Sequence, residues 1–186
     1  MTGPASLDAF DAFFMEMALR EAEYAAESGE VPAGAVVVRP AVLVPAHDGH
    51  PAIVDPDPSK ADILSRAHNK VEILRDATAH AEMLAISQAS ERIGAWRLSG
   101  TRLYVTKEPC PMCAGAISLS RVDTVVWAQS DPKRGGGSVF GIFSAPGMNH
   151  RPATISGILE EKAASTMRRF FEFRRSWKQG DKESIE

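Results

Sequence analysis

Short apolar segments rich in β-branched residues alternate with helix-forming segments along most of this 186-residue chain. The segments that favour buried strands are VPAGAVVVR, ADILSRAHN, TRLYVT and DTVVWA. Helices are indicated between them, one from about Thr78 to Arg92 and one starting near Pro109. Because strands that alternate with helices build a sheet covered by helices, the sequence predicts an α/β fold of one domain, with helices packed on a central sheet.

Two longer helices are predicted outside this pattern. SLDAFDAFFMEMALREAEYAAESG has apolar residues at helical spacing and ends at Gly29, and ISGILEEKAASTMRRFFEFRRSWK is predicted to form one or two helices. The polar residues 179–186 are predicted to be disordered, which leaves a single domain over residues 1–178. Within this domain, residues 39–59 contain five prolines and are predicted to form a solvated loop insertion outside the sheet.

Charge and hydropathy narrow the possible partners. A formal net charge of −3 argues against a protein that holds nucleic acid by its overall charge, although it allows a local basic patch. The sequence has no apolar run of the length that a membrane span needs, so no contact with a membrane is expected. The N-terminal segment lacks the pattern of a secretory signal, so we expect a cytoplasmic protein.

Both cysteines, Cys110 and Cys113, lie in the segment EPCPMC at the predicted start of a helix. In a reducing compartment such a pair is typical of either a redox site or a metal site, and the pair alone does not separate the two. A structural zinc site usually has four protein ligands, so histidines would have to complete it.

The segment TAHAEML favours the metal site. It places His80 and Glu82 in the first turn of a predicted helix that Thr78 can cap. His80 and the two cysteines supply one nitrogen and two sulfur ligands, which suit zinc and leave its fourth position to water. An open position indicates catalysis, because zinc lowers the pKa of such a water from about 15.7 toward about 7. Glu82, off the metal, would then carry the proton, and His-x-Glu followed by Pro-Cys-x-x-Cys is the signature of zinc nucleobase deaminases.

The sequence resembles the cytidine deaminase-like superfamily and, within it, the bacterial tRNA-specific adenosine deaminases. The segments that carry the resemblance, in chain order, are EVPAGAVVV, HNKVE, ATAHAEM, LYVTKEPCPMCAGAI, SRVDTVVWA, PGMNHR, and GILEE through FFEFRR. The resemblance implies a three-layer fold with a mixed sheet of about five strands and helices on both faces. It also implies one zinc ion per subunit, a homodimer, and conversion of the wobble adenosine (A34) in the tRNA anticodon stem-loop to inosine.

The resemblance further implies roles for individual residues. His80, Cys110 and Cys113 hold the zinc ion, and Glu82 is the acid/base residue. The implied substrate contacts are Asn69 with the target nucleotide, Asp131 beside its ribose, and Pro32 and Ala33 along the base pocket. Lys107 stands where the family commonly has an apolar residue, a departure that bears on substrate preference and not on the zinc chemistry.

The C-terminal helical segment combines arginines with aromatic residues. Basic side chains contact phosphates and aromatic rings stack on unpaired bases, so Arg174, Arg175 and Phe170 are candidate RNA contacts. Lys133, in the loop after the strand DTVVWA, is a further candidate for a phosphate contact. The alternative is an amphipathic helix whose aromatic rings lie in the core and whose arginines are solvated.

Three other functions stay open at this level. A deaminase of a free base or nucleoside, such as guanine or cytosine, would also carry the two zinc segments and would act without RNA. A non-catalytic partner of another deaminase would keep zinc for folding, but such proteins often lose the glutamate that stands at position 82 here. A redox dithiol would titrate reversibly, and bound zinc would block that titration.

Overall fold

A computed structural model describes residues 7–41, 43–45, 51–53 and 56–183. In these ranges the strands are β1 (Gly34–Arg39), β2 (Leu43–Pro45), β3 (Pro51–Ile53), β4 (Asp62–His68), β5 (Arg102–Lys107), β6 (Thr124–Gln129) and β7 (Ala153–Ser156). The α-helices are α1 (Leu7–Glu27), α2 (Val71–Leu74), α3 (Ala81–Ile93), α4 (Pro111–Leu119) and α5 (Glu160–Glu183). No helix in the described ranges has the length and apolar character that crossing a membrane requires.

The central sheet has five strands in the order β4-β1-β5-β6-β7. β1 pairs antiparallel with both β4 and β5, while β5, β6 and β7 run parallel. The start of β1 therefore lies beside the ends of β4 and β5, and all three meet at one edge of the sheet. That edge carries the candidate site.

Different helices cover the two faces of this sheet. Strand β1 shows the alternation, with Ala35 and Val37 in one core and Val36 and Val38 in the other, all fully buried. The first core contains buried residues of α3 and α4, and the second contains buried residues of α1 and α5. Since side chains alternate between the faces of a strand, both faces of the sheet are apolar and both are covered. The predicted three-layer α/β fold with a five-stranded mixed sheet is confirmed.

Helix α1 approaches the start of β1 at very short range. A Cβ atom on Gly34 would lie 2.0 Å from the carbonyl oxygen of Ala18 and 2.6 Å from the amide nitrogen of Ala22. The amide of Gly34 also donates to Thr106 Oγ1 at 3.1 Å, which ties the same residue to β5. Only glycine fits at this position, so the packing of α1 on the sheet depends on it.

The proline-rich insertion contains two short strands. It stays out of the central sheet as expected, but β2 and β3 pair with each other in a separate two-stranded sheet, with Pro45 opposite Pro51. The part of the insertion that the structure describes therefore contains a short hairpin outside the central sheet. A two-stranded ribbon consists only of edge strands, where proline is tolerated because one side of each strand needs no hydrogen bond. Ile53 packs against the core beneath α1.

The start of α3 also differs from the prediction. His80 is the N-cap residue and the helix begins at Ala81, so the prediction that Thr78 caps it is wrong. The amide and hydroxyl of Thr78 instead donate to Asp76 Oδ1 at 2.8 and 2.7 Å. An aspartate two residues upstream offers the backbone a local turn, and this turn precedes the helix.

Two further differences concern the C-terminal third. The fifth strand, β7, lies in a segment for which no strand was predicted, because its four residues alternate between half-buried and exposed positions and form no apolar run. Helix α5 continues to Glu183, so the predicted disorder is wrong for residues 179–183, while residues 184–186 lie outside the described residues. Starting a helix fixes the backbone of several residues for its first hydrogen bond, whereas each residue added later brings one further hydrogen bond. Extension of α5 into the polar tail is therefore easier than starting a helix there.

Candidate active site

The candidate metal ligands come from the first turns of two helices. His80 and Cys110 are the N-cap residues of α3 and α4, both with extended backbone, and Cys113 lies in the first turn of α4. Pro111 occupies the first turn of α4, where its fixed φ suits the helix and its missing N–H costs nothing. Because α4 follows β5 directly, the two cysteines are held at the edge of the sheet where β5 ends.

The three side chains form a compact triangle. His80 Nδ1 lies 3.7 Å from Cys110 Sγ and 3.5 Å from Cys113 Sγ, and the two sulfur atoms are 3.7 Å apart. For a tetrahedral zinc ion with Zn–S of about 2.3 Å and Zn–N of about 2.0–2.1 Å, the expected separations are about 3.8 Å between sulfurs and about 3.6 Å between sulfur and nitrogen. The triangle thus has the dimensions of three zinc ligands, and it offers one nitrogen and two sulfurs as the sequence predicted.

The cysteine pair is also prepared electrostatically. The hydrogen bond between the two thiols lowers the pKa of Cys110 to about 4. The same hydrogen bond, together with burial, raises the pKa of Cys113. The two thiols therefore share one proton, which a zinc ion would displace because zinc binds thiolates.

Glu82 lies in the first turn of α3, the helix that begins after His80, but its carboxylate does not belong to the cluster of three ligand atoms. Its side chain is 7% exposed, and burial raises its pKa above the usual value for glutamate. A carboxyl group whose pKa is shifted toward neutrality, next to a metal site, has the properties of a proton carrier.

A cleft of about 310 Å³ opens at this edge of the sheet. The predicted site residues that line it are Ala33, Asn69, His80, Glu82, Cys110 and Asp131. Pro32 is buried and is not among the residues that line the cleft, so its place along the base pocket stays a prediction. The amide of Ala33 donates to the carbonyl of Val31 at 2.7 Å, and this tight turn leaves Pro32 out of the wall that its neighbours form.

Asn69 directly follows β4, and two hydrogen bonds fix its position. Its backbone amide donates to the carbonyl of Ala33 at 3.0 Å, and its side-chain nitrogen donates to Glu30 Oε2 at 3.0 Å. Glu30 is fully buried and lines the same cleft. Sequence reasoning missed Glu30; the available signal was an acidic residue in an apolar segment that opens a buried strand.

Asp131 and Lys107 form an ion pair within the cleft, with Lys107 Nζ 2.8 Å from Asp131 Oδ2. Burial raises the pKa of Asp131, but hydrogen bonds from Lys107 and from the amides of Lys133 and Arg134 outweigh it and lower the pKa to about 2. Asp131 is therefore a fixed negative charge at neutral pH. The side chain of Lys133 itself is exposed and outside the cleft.

Glu108, the first residue of the segment EPCPMC, is a second carboxylate that the sequence analysis did not assign to the site. It is 3% exposed and accepts hydrogen bonds from the amides of Asp131 and Ser138 at 2.9 and 2.7 Å and from the Ser138 hydroxyl at 2.9 Å. A Cβ atom on Gly135 would lie 2.4 Å from its carboxylate, so the glycine-rich loop after β6 is wrapped closely around it. Glu108 thus connects the loop that carries Asp131 to the segment that carries the metal ligands.

The candidate RNA contacts on α5 divide into exposed and buried residues. Arg174 and Arg175 are exposed, and neither forms an ion pair with any residue that the structure describes. Phe170 is only 7% exposed, with the Arg174 guanidinium 5.6 Å from its ring centre. A buried ring cannot stack on a base, so the prediction for Phe170 is wrong, and the aromatic residue belongs to the face that packs inward.

Comparison with known proteins agrees with this site. Residues 8–129 match the family model described as the cytidine and deoxycytidylate deaminase zinc-binding region. The chain is 39% identical over 176 residues to the tRNA-specific adenosine deaminase of Bacillus subtilis (strain 168), which covers 94% of this chain and 97% of that protein. It is 43% identical over 160 residues to the tRNA-specific adenosine deaminase of Aquifex aeolicus (strain VF5), with 86% and 92% covered. A solved structure from work on A-to-I editing by tRNA:A34 deaminases superimposes with a TM-score of 0.69 at 40% identity, covering 83% of this chain and 98% of that chain.

The chain therefore belongs to the cytidine and deoxycytidylate deaminase zinc-binding family. It is a zinc-dependent hydrolytic deaminase with one zinc ion per subunit, which the triangle of His80, Cys110 and Cys113 fits. Within the family, the relatives that it matches along most of its length are tRNA-specific adenosine deaminases. The predicted resemblance is confirmed.

Proposed function

We propose that this protein deaminates the wobble adenosine (A34) of tRNA to inosine. The observation that carries the proposal is the triangle of His80, Cys110 and Cys113 in one cleft with the buried Glu82, in a chain 39% identical to a tRNA-specific adenosine deaminase. In this reaction water adds its oxygen to C6 of the adenine ring, the bond from C6 to the amino nitrogen breaks, and ammonia leaves.

The zinc ligands and Glu82 have separate tasks in this proposal. His80, Cys110 and Cys113 would hold a zinc ion, which would make a water molecule acidic enough to serve as a nucleophile at neutral pH. Glu82 accepts a proton from the attacking water and delivers it to N1 of the ring. It then takes the proton of the hydroxyl on C6, which becomes the carbonyl, and passes it to the departing amine. Its raised pKa suits this sequence, because a group that must both accept and donate works best when its pKa is near the working pH.

The remaining residues of the cleft would hold the target nucleotide. Asn69 and Ala33 line the cleft together with Glu82, and Asp131, which also lines it, would place a fixed carboxylate beside the ribose. A cleft of about 310 Å³ admits one nucleoside and no duplex. The adenosine must therefore be splayed out of its loop before it can react, which is how enzymes that act on a base usually gain access to it.

The tRNA would be bound through its anticodon stem-loop by positive charge outside the cleft. Arg174, Arg175 and Lys133 are exposed and available for phosphate contacts. Such contacts fix the position of an RNA backbone without reading its sequence. They supply the local basic surface that a chain of net charge −3 needs in order to bind RNA.

The protein is further proposed to act as a homodimer in the cytoplasm, where tRNA is processed. Large apolar side chains are exposed on α4 and on the loop after β6: Met112 (36%), Leu119 (62%), Val139 (48%) and Phe140 (57%). Residues Ile142–Ser144 of this loop pack against α4, which supports assigning these side chains to one interface. Analytical ultracentrifugation of the wild type and of Phe140→Ser tests this assignment, with a monomer expected for the variant.

The proposal is tested by a deamination assay on an anticodon stem-loop with adenosine at the wobble position. Free adenosine, cytidine and guanine are assayed in parallel with the zinc-loaded protein. We expect inosine at that single position and no ammonia from the free compounds, because the basic surface on α5 is useful only for a polymeric substrate.

Each alternative predicts a different result. Ammonia from a free base alone would keep the zinc chemistry and overturn the RNA substrate. A zinc-loaded protein inactive on every substrate would indicate a non-catalytic partner. A reversible dithiol titration in the presence of zinc would support the redox function.

A further inference from the structure

Glu30 is a fully buried carboxylate that borders the cleft and takes part in none of the steps above. Its Oε1 accepts a hydrogen bond from the backbone amide of Ile73 at 2.9 Å, and its Oε2 accepts one from Asn69 Nδ2 at 3.0 Å. Burying an ionised group is costly unless its partners compensate, and among the described residues these partners are neutral donors. A buried carboxylate with only neutral partners is therefore expected to have a function other than core packing.

The contacts of Glu30 decide which way the Asn69 amide faces. An ionised carboxylate can only accept hydrogen bonds, so it must meet the nitrogen of the amide and not its oxygen. The oxygen, Oδ1, is thereby directed away from Glu30, and it has no hydrogen-bond donor in the described part of the chain. Since Asn69 lines the cleft, this oxygen is available as an acceptor for a ligand.

An acceptor at this position selects a donor on the substrate. A nucleoside within an RNA chain has its 3′ and 5′ oxygens esterified, so adenosine keeps two donors, the amino group on C6 and the 2′-hydroxyl. The amino group must lie at the metal ligands and Glu82, where it is replaced. The 2′-hydroxyl is the remaining donor that Asn69 Oδ1 can read, and it is the group that distinguishes RNA from DNA.

We propose that Glu30 is a positioning residue that fixes Asn69 with its amide oxygen toward the 2′-hydroxyl of the target nucleotide, which makes the pair a determinant of RNA specificity. This inference rests on the proposed function. It differs from a structural role for Glu30 in one respect: the effect of changing Glu30 depends on whether the substrate carries the 2′-hydroxyl.

The test combines enzyme variants with two substrates in single-turnover assays with excess enzyme. The substrates are the anticodon stem-loop with adenosine and the same stem-loop with 2′-deoxyadenosine at the wobble position. Glu30→Gln turns the oxygen that faces Asn69 into a potential donor and favours rotation of the amide. The double variant Glu30→Gln/Asn69→Asp restores a donor–acceptor pair with the same net charge and again presents an oxygen to the cleft. Glu27→Gln removes the same charge from an exposed residue nearby and serves as the matched control.

We expect Glu30→Gln to lower kcat/KM on the adenosine stem-loop about tenfold, mainly through KM, because a buried hydrogen-bonding group without a matching partner weakens binding. On the 2′-deoxy substrate the same change should cost less than about twofold, and the double variant should recover most of the loss on the adenosine substrate. Glu27→Gln should match the wild type on both substrates. Equal losses of Glu30→Gln on the two substrates, no loss on either, or failure of the double variant to recover would each overturn the proposal.

A readout without turnover keeps the inference testable if Glu30→Gln does not fold. In the wild type, one proton of the Asn69 side-chain amide should be protected from exchange by Glu30, as seen in NMR spectra where Asn69→Asp identifies the resonance. Rapid exchange of both protons would overturn the pairing. If the wild type fails to turn over the adenosine stem-loop at all, the proposed function fails, and this measurement still decides the Glu30–Asn69 contact by itself.

Discussion

Replacing Glu82 by glutamine should separate the stability of this fold from its activity. Glu82 is 7% exposed, and burial raises its pKa. A folded-state pKa above the unfolded value of about 4.3 means that the ionised side chain destabilises the fold at higher pH, and that this cost disappears as the pH falls. Glutamine has the same shape and no charge, so at pH 7 the metal-free variant is expected to unfold at the same temperature as the wild type or higher.

Activity is expected to change in the opposite direction. An amide cannot accept the proton of the attacking water, so the variant loses the whole contribution of proton transfer, about 10²–10⁴-fold in kcat or about 3–5 kcal/mol. Zinc should remain at one ion per chain, because the clustered ligand atoms belong to His80, Cys110 and Cys113. Single-turnover deamination, metal analysis and thermal unfolding with and without a chelator measure the three quantities.

Glu91→Gln, which makes the same change at an exposed position of α3, is the matched control and should alter none of them. A Glu82→Gln variant with full zinc and more than about a tenth of the wild-type rate would refute the role of Glu82 as proton carrier. Loss of zinc in that variant would instead identify Glu82 as a ligand.

Three further predictions concern packing, RNA binding and pH. Gly34→Ala should lower the free energy of unfolding by about 3 kcal/mol or more in denaturant titrations, because the added Cβ would lie 2.0 Å from a backbone oxygen. Gly115→Ala is the control and should be tolerated, because a Cβ at that position would meet nothing within 4 Å. Replacing Arg174 and Arg175 by alanine should weaken binding of the stem-loop. It should also reduce the slope of log K against log salt concentration by about one to two, since each arginine that contacts a phosphate contributes about one to that slope. An unchanged slope would mean that these arginines are solvated and do not contact the RNA. Burial raises the pKa of Asp131, but the hydrogen bonds that its carboxylate accepts outweigh this effect and lower the pKa from 3.8 to about 2. The ionised carboxylate therefore contributes its full stabilisation of the fold above pH 3.8, and this stabilisation is lost as the pH falls through about 2. An NMR titration of the Asp131 carboxyl group with a midpoint near pH 4 would contradict this.

Features encoded by short stretches of sequence were predictable. The strand pattern around Val37 and Val125 places apolar residues in an uninterrupted run, as buried strands require. The zinc triangle could be predicted because His80, Cys110 and Cys113 stand at helix starts in two short motifs whose residue types leave few other uses. Each strand and each of the two motifs is recognisable from a few neighbouring residues alone.

Features that depend on distant pairing were not predictable in this way. Glu30 acquires its role only when Ile73, 43 positions along the chain, donates an amide to it. Phe170 stands in a segment where aromatic and basic residues are interleaved, and only its packing shows which ring faces inward. Sequence periodicity indicates which residues are buried, but it does not say which buried acceptor meets which donor.

The hydrogen bonds of Glu108 affect how a mutational scan of this enzyme should be interpreted. Glu82 and Glu108 are both nearly buried carboxylates that border the cleft, and alanine at either one is expected to abolish turnover. Glu108 already accepts three hydrogen bonds from the loop after β6, so it has no freedom to exchange protons, and its loss would inactivate the enzyme by releasing Asp131 and the loop. An activity assay alone would therefore identify both residues as catalytic. Limited proteolysis would distinguish them, because only the loss of Glu108 should make the glycine-rich loop easier to cleave.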